Sequence, residues 1–140
     1  MLLLPRKGIL AIAAVLDIAM NSRGKPVAAK SLASRHRLPP RHLEPVLQAL
    51  VRQGILRGVR GPRGGYELAR SEGDIGADEI LRAAGTVEDQ DDAPVTGSTL
   101  LSNVVVPALE RAEEKFSEAL SRITVADLAK SADKGMKAAE

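Results

Sequence analysis

The chain has 140 residues, 44% of them hydrophobic, enough for one compact core plus an element that needs a partner to bury its apolar face. It contains no cysteine, which removes disulfides, thiolate nucleophiles and cysteine-ligated zinc or iron-sulfur centres together. The net charge of +2 conceals a division: residues 1–70 carry 13 Lys and Arg against 3 Asp and Glu (+10), whereas residues 71–140 carry 7 against 15 (−8). A basic half of this size fits a polyanion partner, because each phosphate neutralised releases condensed counterions, and it fits that better than two ordinary solvated faces.

The opening Met1-Leu2-Leu3-Leu4 is cut short by Pro5, Arg6 and Lys7. Neither a membrane span nor a signal peptide fits such a start, so a cytoplasmic protein is expected. From Gly8 to Ser22, Ile9, Ile12, Ala13, Leu16, Ala19 and Met20 recur three and four apart, which predicts a helix with one stripe on a core. Gly24 and Pro26 end it. Val27 to His36 predicts a short second helix with Val27, Leu32 and Ala33 inward. Arg37-Leu38-Pro39-Pro40 then turns the chain into a third, from Pro40 to Gln53, with Leu43, Val46, Leu47, Leu50 and Val51 on one side and Gly54 beyond its end. Three short helices in so little chain suggest a helix-turn-helix core.

Residues 55–60 and 66–69 flank Gly61-Pro62-Arg63-Gly64-Gly65, the pattern of a β-hairpin with a glycine-rich tip, a candidate wing. Asp78 to Ala84 reads as a fourth helix. Gly85 to Ser98, with Glu88, Asp89, Asp91 and Asp92, is acidic and too poor in apolar residues to build a core, so disorder is expected there. Beyond Pro107, Leu109, Ala112, Phe116, Ala119 and Ile123 follow heptad spacing, with Leu120 widening the seam. Such a stripe packs either on its own domain or on a second copy of the chain. The dominance of symmetric dimers among soluble oligomers favours the second. Thr124 with Asp127 resembles a capping box that starts a short closing helix at Val125, and the tail from Ser131 is expected to be weakly held.

The pattern predicts a mainly α fold with a small β-hairpin: a winged helix-turn-helix domain over 1–85, an acidic flexible loop over 86–99, a dimerisation helix with a short closing helix over 100–131, and a tail over 132–140. A helix enters the major groove with its N-terminal residues toward base edges. On the third helix the positions opposite the apolar stripe are Arg41, His42, Pro45, Gln48 and Arg52. Arg41 suits a guanine and Gln48 an adenine, while Lys30, Arg35, Arg37 and Arg52 suit phosphates, which position without specifying. A merely solvated basic face is the alternative, and Gln48 alone is weak evidence against it. Arg60 and Arg63 at the hairpin tip fit a narrow, electronegative minor groove, and this is the stronger signal.

Catalysis finds little support. His36 and His42 lie in the helix-turn-helix away from any paired carboxylate and read as exposed surface histidines. Asp17 reads as a helix-edge hydrogen-bonding residue. Neither HExxH, nor a Gly-x-Ser-x-Gly turn, nor a phosphate loop is present, and the hairpin glycines are followed by no Lys-Ser/Thr.

Several segments together resemble the Rrf2 family of bacterial winged helix-turn-helix regulators, of the iron-sulfur cluster regulator and cysteine-metabolism repressor type. They are Lys7-Gly8, His42-Leu43-Glu44 with Val46-Leu47, the octapeptide Val59 to Tyr66, and Ile123-Thr124-Val125-Ala126-Asp127-Leu128. The octapeptide is the most specific, and the resemblance runs nearly end to end. It implies a homodimer whose long helices cross between subunits, with Arg60 in the minor groove, Arg41 to Gln48 reading the major groove, Glu44 tuning base tolerance, and Lys7 within the DNA-binding set. Four departures accompany it. Cluster-binding members place three cysteines before the long helix, where this chain has none between Val87 and Asn103, so no iron-sulfur cluster and no other cofactor is expected. Val106 and Leu109 stand where those members have a polar ligand and a tryptophan. Arg37 replaces the glycine usual in the turn. Pro45 removes a backbone hydrogen bond from the third helix unless that helix begins late.

The expected function is that of a homodimeric, sequence-specific regulator of transcription, a repressor by type, which binds an inverted repeat in double-stranded DNA. Its signal is open between a small apolar or anionic effector, a protein partner, and none. The rival readings are a winged-helix module that binds an acidic protein rather than DNA, and a small enzyme. The second lacks any convergent catalytic constellation.

Overall fold

The structure is a computed structural model, and it describes residues 4–22, 24–85, 87 and 99–139. The acidic stretch over 88–98 lies outside the described residues. Three helices come first: α1 (Arg6–Asn21), α2 (Ala29–Arg35) and α3 (Pro40–Arg52). An antiparallel hairpin follows, β1 (Leu56–Val59) and β2 (Gly65–Leu68), in the register Leu56↔Leu68 to Val59↔Gly65. After a 3-10 turn at Glu72–Asp74 come α4 (Ala77–Gly85), a π turn over Leu101–Val105 that leads into α5 (Val106–Ser121), and α6 (Val125–Ala139).

One core holds the first half together and recruits the end of the chain. Ala11, Ala14, Val15 and Ile18 of α1 meet Leu32 of α2, Leu43, Val46, Leu47 and Leu50 of α3, Leu56 of β1, and Ile80, Ala83 and Ala84 of α4. Burying these apolar side chains is the main force setting the three helices of the domain at fixed angles. Val125, at the start of α6, is buried in the same core. Its N–H donates to the Ile75 carbonyl at 3.0 Å, and Ala77 N–H donates to the Ile123 carbonyl at 2.8 Å. The chain therefore returns to its first domain after α5, and α5 itself buries no residue.

Local chemistry sets the boundaries. At the end of α3, Gly54 takes φ 75°, its N–H donates to the Val51 carbonyl, and Ile55 N–H donates to Leu50, which together make a Schellman cap. The same cap ends α2, where Arg37 N–H donates to Ser34 and Leu38 N–H to Ala33, but the left-handed position (φ 54°) is held by Arg37. This explains why a glycine suits that turn. Thr124 and Asp127 form the expected capping box: Thr124 N–H donates to the Asp127 carboxylate and Asp127 N–H to the Thr124 hydroxyl, both at 3.1 Å.

Three expectations change, and the course of α3 is decided. Helix α1 turns Gly8, Ala11, Ala14, Val15, Asp17 and Ile18 to the core in place of the predicted stripe, of which Ile9 is exposed and Ile12, Ala13, Leu16, Ala19 and Met20 are half-buried; nearly every position from 8 to 20 is apolar, so the period there does not choose a face. Val27 does not enter α2 but pairs with Tyr66 of the hairpin in a two-way bridge, Val27 N–H to Tyr66 carbonyl and the reverse, each 2.8 Å. Helix α3 starts at Pro40 and carries Pro45 inside it, so the Arg41 carbonyl has no N–H partner one turn on. The expected short closing helix and weak tail form one helix through Ala139, in which alanines and lysines supply propensity without a long apolar stripe.

Candidate nucleic-acid interface

Helix α3 buries Leu43, Val46, Leu47, Ala49 and Leu50 and presents Arg41, His42, Glu44, Pro45, Gln48 and Arg52 to solvent, as the periodicity predicts. Beside it the hairpin projects with Arg60 and Arg63 exposed at its tip. Gly61 takes φ 113°, a conformation only glycine adopts readily, and its carbonyl accepts the Gly64 N–H at 2.9 Å, which closes the tip into a tight turn. Across the hairpin Arg57 pairs with Glu67 at 2.8 Å, so Arg57 is committed within the wing.

Tyr66 joins the parts. Its backbone is bridged to Val27 just before α2, and its hydroxyl lies 3.5 Å from the Gln48 side-chain amide of α3. The close approach at this junction also needs a glycine, since a Cβ on Gly65 would strike the Val27 carbonyl. The hairpin and α3 thus lie side by side through Tyr66. Between them lies a cleft of about 510 Å³ lined by Ala28, Ala29, Gln48, Val51, Arg60 and Tyr66. A second cleft, of about 550 Å³, adjoins the first and is lined by Asn21, Lys25, Ser31, Arg35, Arg63 and others. Lys25 was not singled out from sequence. Its signal there was only a cation in the Gly24–Pro26 loop, and its placement beside Arg63 depends on the Val27–Tyr66 bridge.

Two predicted contacts have other partners. Arg35 grips Asp17 of α1 with two hydrogen bonds, Nε at 2.9 Å and Nη2 at 2.6 Å. Asp17 also meets His36 Nε2 at 2.9 Å and the Asn21 amide at 3.1 Å. Burial alone would raise the Asp17 pKa, but the hydrogen bonds and charge of Arg35, with His36, outweigh it and hold the carboxyl below its ordinary value. Asp17 is therefore a buried strut between α1 and the helix-turn-helix. His36 is a half-buried part of that strut and not the exposed histidine expected, whereas His42 is exposed. Lys7, in turn, donates from Nζ to the Val87 carbonyl at 3.0 Å. Lys30 and Arg37 are exposed on α2 and its turn.

On α5 the heptad positions Leu109, Ala112, Phe116 and Ala119, with Ile123 beyond its end, are exposed, and Leu120 is half-buried. Leu109 is 64% exposed and Phe116 and Ile123 are each 40% exposed. Large apolar side chains on a solvated helix face mark an interaction surface. No helix among the described residues is long and apolar enough to cross a membrane.

A family model described as "Rrf2: Iron-dependent Transcriptional regulator" matches residues 4–131. The slr0846 protein of Synechocystis sp., described as an HTH-type transcriptional regulator, is 35% identical over 120 residues, which cover 84% of this chain and 80% of that one. The IscR regulator of Cronobacter sakazakii is 36% identical over 80 residues, 57% of this chain and 49% of its own length, so that alignment spans about half of IscR. Among solved structures, T. potens IscR superposes with a TM-score of 0.74 at 31% identity, over 96% of this chain and 90% of that one. CymR, the global cysteine regulator of B. subtilis, superposes with 0.70 at 25% identity, over 94% and 98%. These relatives are transcriptional regulators, not enzymes. The iron named in the family description finds no thiolate donor in a chain without cysteine. Among the described residues no cluster of three His, Asp or Glu could hold an ion. An iron-sulfur site of the thiolate kind therefore does not fit these residues. The described fold, the match over 4–131 and the regulators it resembles make this chain a cysteine-free member of the Rrf2 family of winged-helix transcriptional regulators.

Proposed function

We propose that the chain is a homodimeric, sequence-specific DNA-binding repressor that reads an inverted repeat through α3 and an arginine wing. One observation carries the reading: the exposed polar face of α3 and the Arg60–Arg63 tip lie side by side, locked by Tyr66 to Val27 and Gln48. Helix α3 then enters the major groove, with Arg41 suited to a guanine and Gln48 to an adenine, and Glu44 limiting which bases are accepted at its position. Arg60 reaches the adjacent minor groove, while Lys25, Lys30, Arg37, Arg52 and Arg63 take phosphates. Two copies joined along Leu109, Ala112, Phe116, Ala119, Leu120 and Ile123 present two such helices about 34 Å apart, one turn of the duplex.

The test separates DNA from an acidic protein partner. Binding to one duplex sequence is measured against a scrambled duplex at several salt concentrations. Retained preference for one sequence, with affinity falling steeply and log-linearly with salt, supports the reading. Equal affinity for both duplexes at every salt concentration would refute sequence-specific recognition.

A further inference from the structure

A further cavity shares no lining residue with the two clefts beside the wing. It lies where the start of α1 meets the first half of α3, holds about 400 Å³, and is floored by Leu10, Leu38, Pro45, Val46 and Val87. Its rim carries Arg6, Lys7, Arg41 and His42. Among the described residues Arg6 and Arg41 have no carboxylate partner, and no carboxylate lines the cavity. An apolar floor under a cationic rim is complementary to one class of molecule, a small organic anion with an apolar body. Lys7 holds the Val87 carbonyl at 3.0 Å and so keeps Val87 against the cavity.

We infer that this cavity is an effector site for a small amphiphilic anion, and that occupancy weakens DNA binding. The inference rests on the DNA-binding reading only for its second half. Arg41 belongs to both the rim and the proposed reading face, so an anion that draws its guanidinium inward removes it from the duplex. The coupling is reciprocal, so DNA also lowers affinity for the anion. Pro45 leaves the Arg41 carbonyl without its helical partner, which lets the first turns of α3 adjust at lower cost than an unbroken helix would.

The test uses octanoate and octyl phosphate as probes, with octanol as the uncharged control and acetate as the charge without a body. Methyl-labelled full-length protein is titrated by NMR without DNA. The expected result is that octanoate, octyl phosphate or both shift the methyls of Leu10, Leu38, Val46 and Val87, octanol and acetate bind about tenfold more weakly or not at all, and Arg6→Gln weakens the anion by about tenfold. Arg6 lies outside the DNA contacts, so that variant keeps its affinity for duplex. The two probes distinguish a carboxylate ligand from a phosphate. In a second arm the bound anion raises the dissociation constant for duplex. No shift with either anion, equal binding of octanol, or shifts elsewhere in the protein would overturn the site. A site confirmed by NMR with no change in duplex affinity would overturn only the coupling, and an absence of any duplex binding would count against the DNA reading alone.

Discussion

Asp17 offers the sharpest test of how the helix-turn-helix is held. Its carboxylate is buried, accepts two hydrogen bonds from Arg35 and one from Asn21, and lies 2.9 Å from His36 Nε2. Removing one partner of a fully buried ion pair costs about 3–5 kcal/mol. Here the Arg35 side chain is 43% exposed and regains water when its partner is lost, so Asp17→Ala is expected to cost about 2 kcal/mol. For a chain of this length that is a fall in Tm of about 7 °C, read by calorimetry at fixed protein concentration, since self-association makes Tm depend on concentration. Arg35→Ala measured alone and together with Asp17→Ala gives the coupling, expected at about 1–2 kcal/mol. The pH dependence follows in sign. The folded carboxyl lies below its ordinary value, so its contribution is fully present above the unfolded pKa of about 3.9 and is lost as pH falls through the lower folded value. A loss under about 0.5 kcal/mol, or strictly additive single variants, would refute the strut. A salt slope for DNA reduced by about one in Arg35→Ala would instead return Arg35 to the phosphates.

Three further outcomes are expected. Arg37→Gly should raise stability by about 1 kcal/mol in urea unfolding, since the left-handed φ of 54° is unfavourable for any residue with a Cβ; a loss of stability would mean the Arg37 side chain contributes more than the strain costs. Arg60→Ala should weaken duplex binding and relax the preference for bases under the wing, and unchanged affinity in gel shifts at moderate salt would remove the minor-groove role. Phe116→Asp should give monomers in light scattering, because a charge would stand within an apolar seam; a dimer mass would place the interface elsewhere.

What was legible in the sequence is what local periodicity and turn chemistry write directly. The stripe of Leu43, Val46, Leu47 and Leu50 predicts α3 and its exposed face, and the octapeptide Val59–Tyr66 predicts the hairpin and its tip. What was hidden depends on pairs far apart along the chain. Asp17 stands alone on α1 until Arg35 and His36, almost twenty residues on, fold against it. Val27 continues the pattern of α2, yet two hydrogen bonds to Tyr66 hold it extended. The capping box at Thr124–Asp127 was readable because its partners are three residues apart. The far end of α6 was not, because its helix rests on the propensity of alanine and lysine where an apolar period would have announced it.

The central claim is that α3 and the arginine wing of two copies read one duplex together. Selection of bound duplexes from a random library by the full chain tests it most directly, because sequence preference, symmetry and spacing are read in one experiment. The account predicts enrichment of an inverted repeat with half-sites about one helical turn apart, 10–10.5 base pairs centre to centre, flanked by narrow-groove A·T steps under the wings. A library that emerges without any enriched sequence, or with a single asymmetric site bound by a monomer, would contradict it.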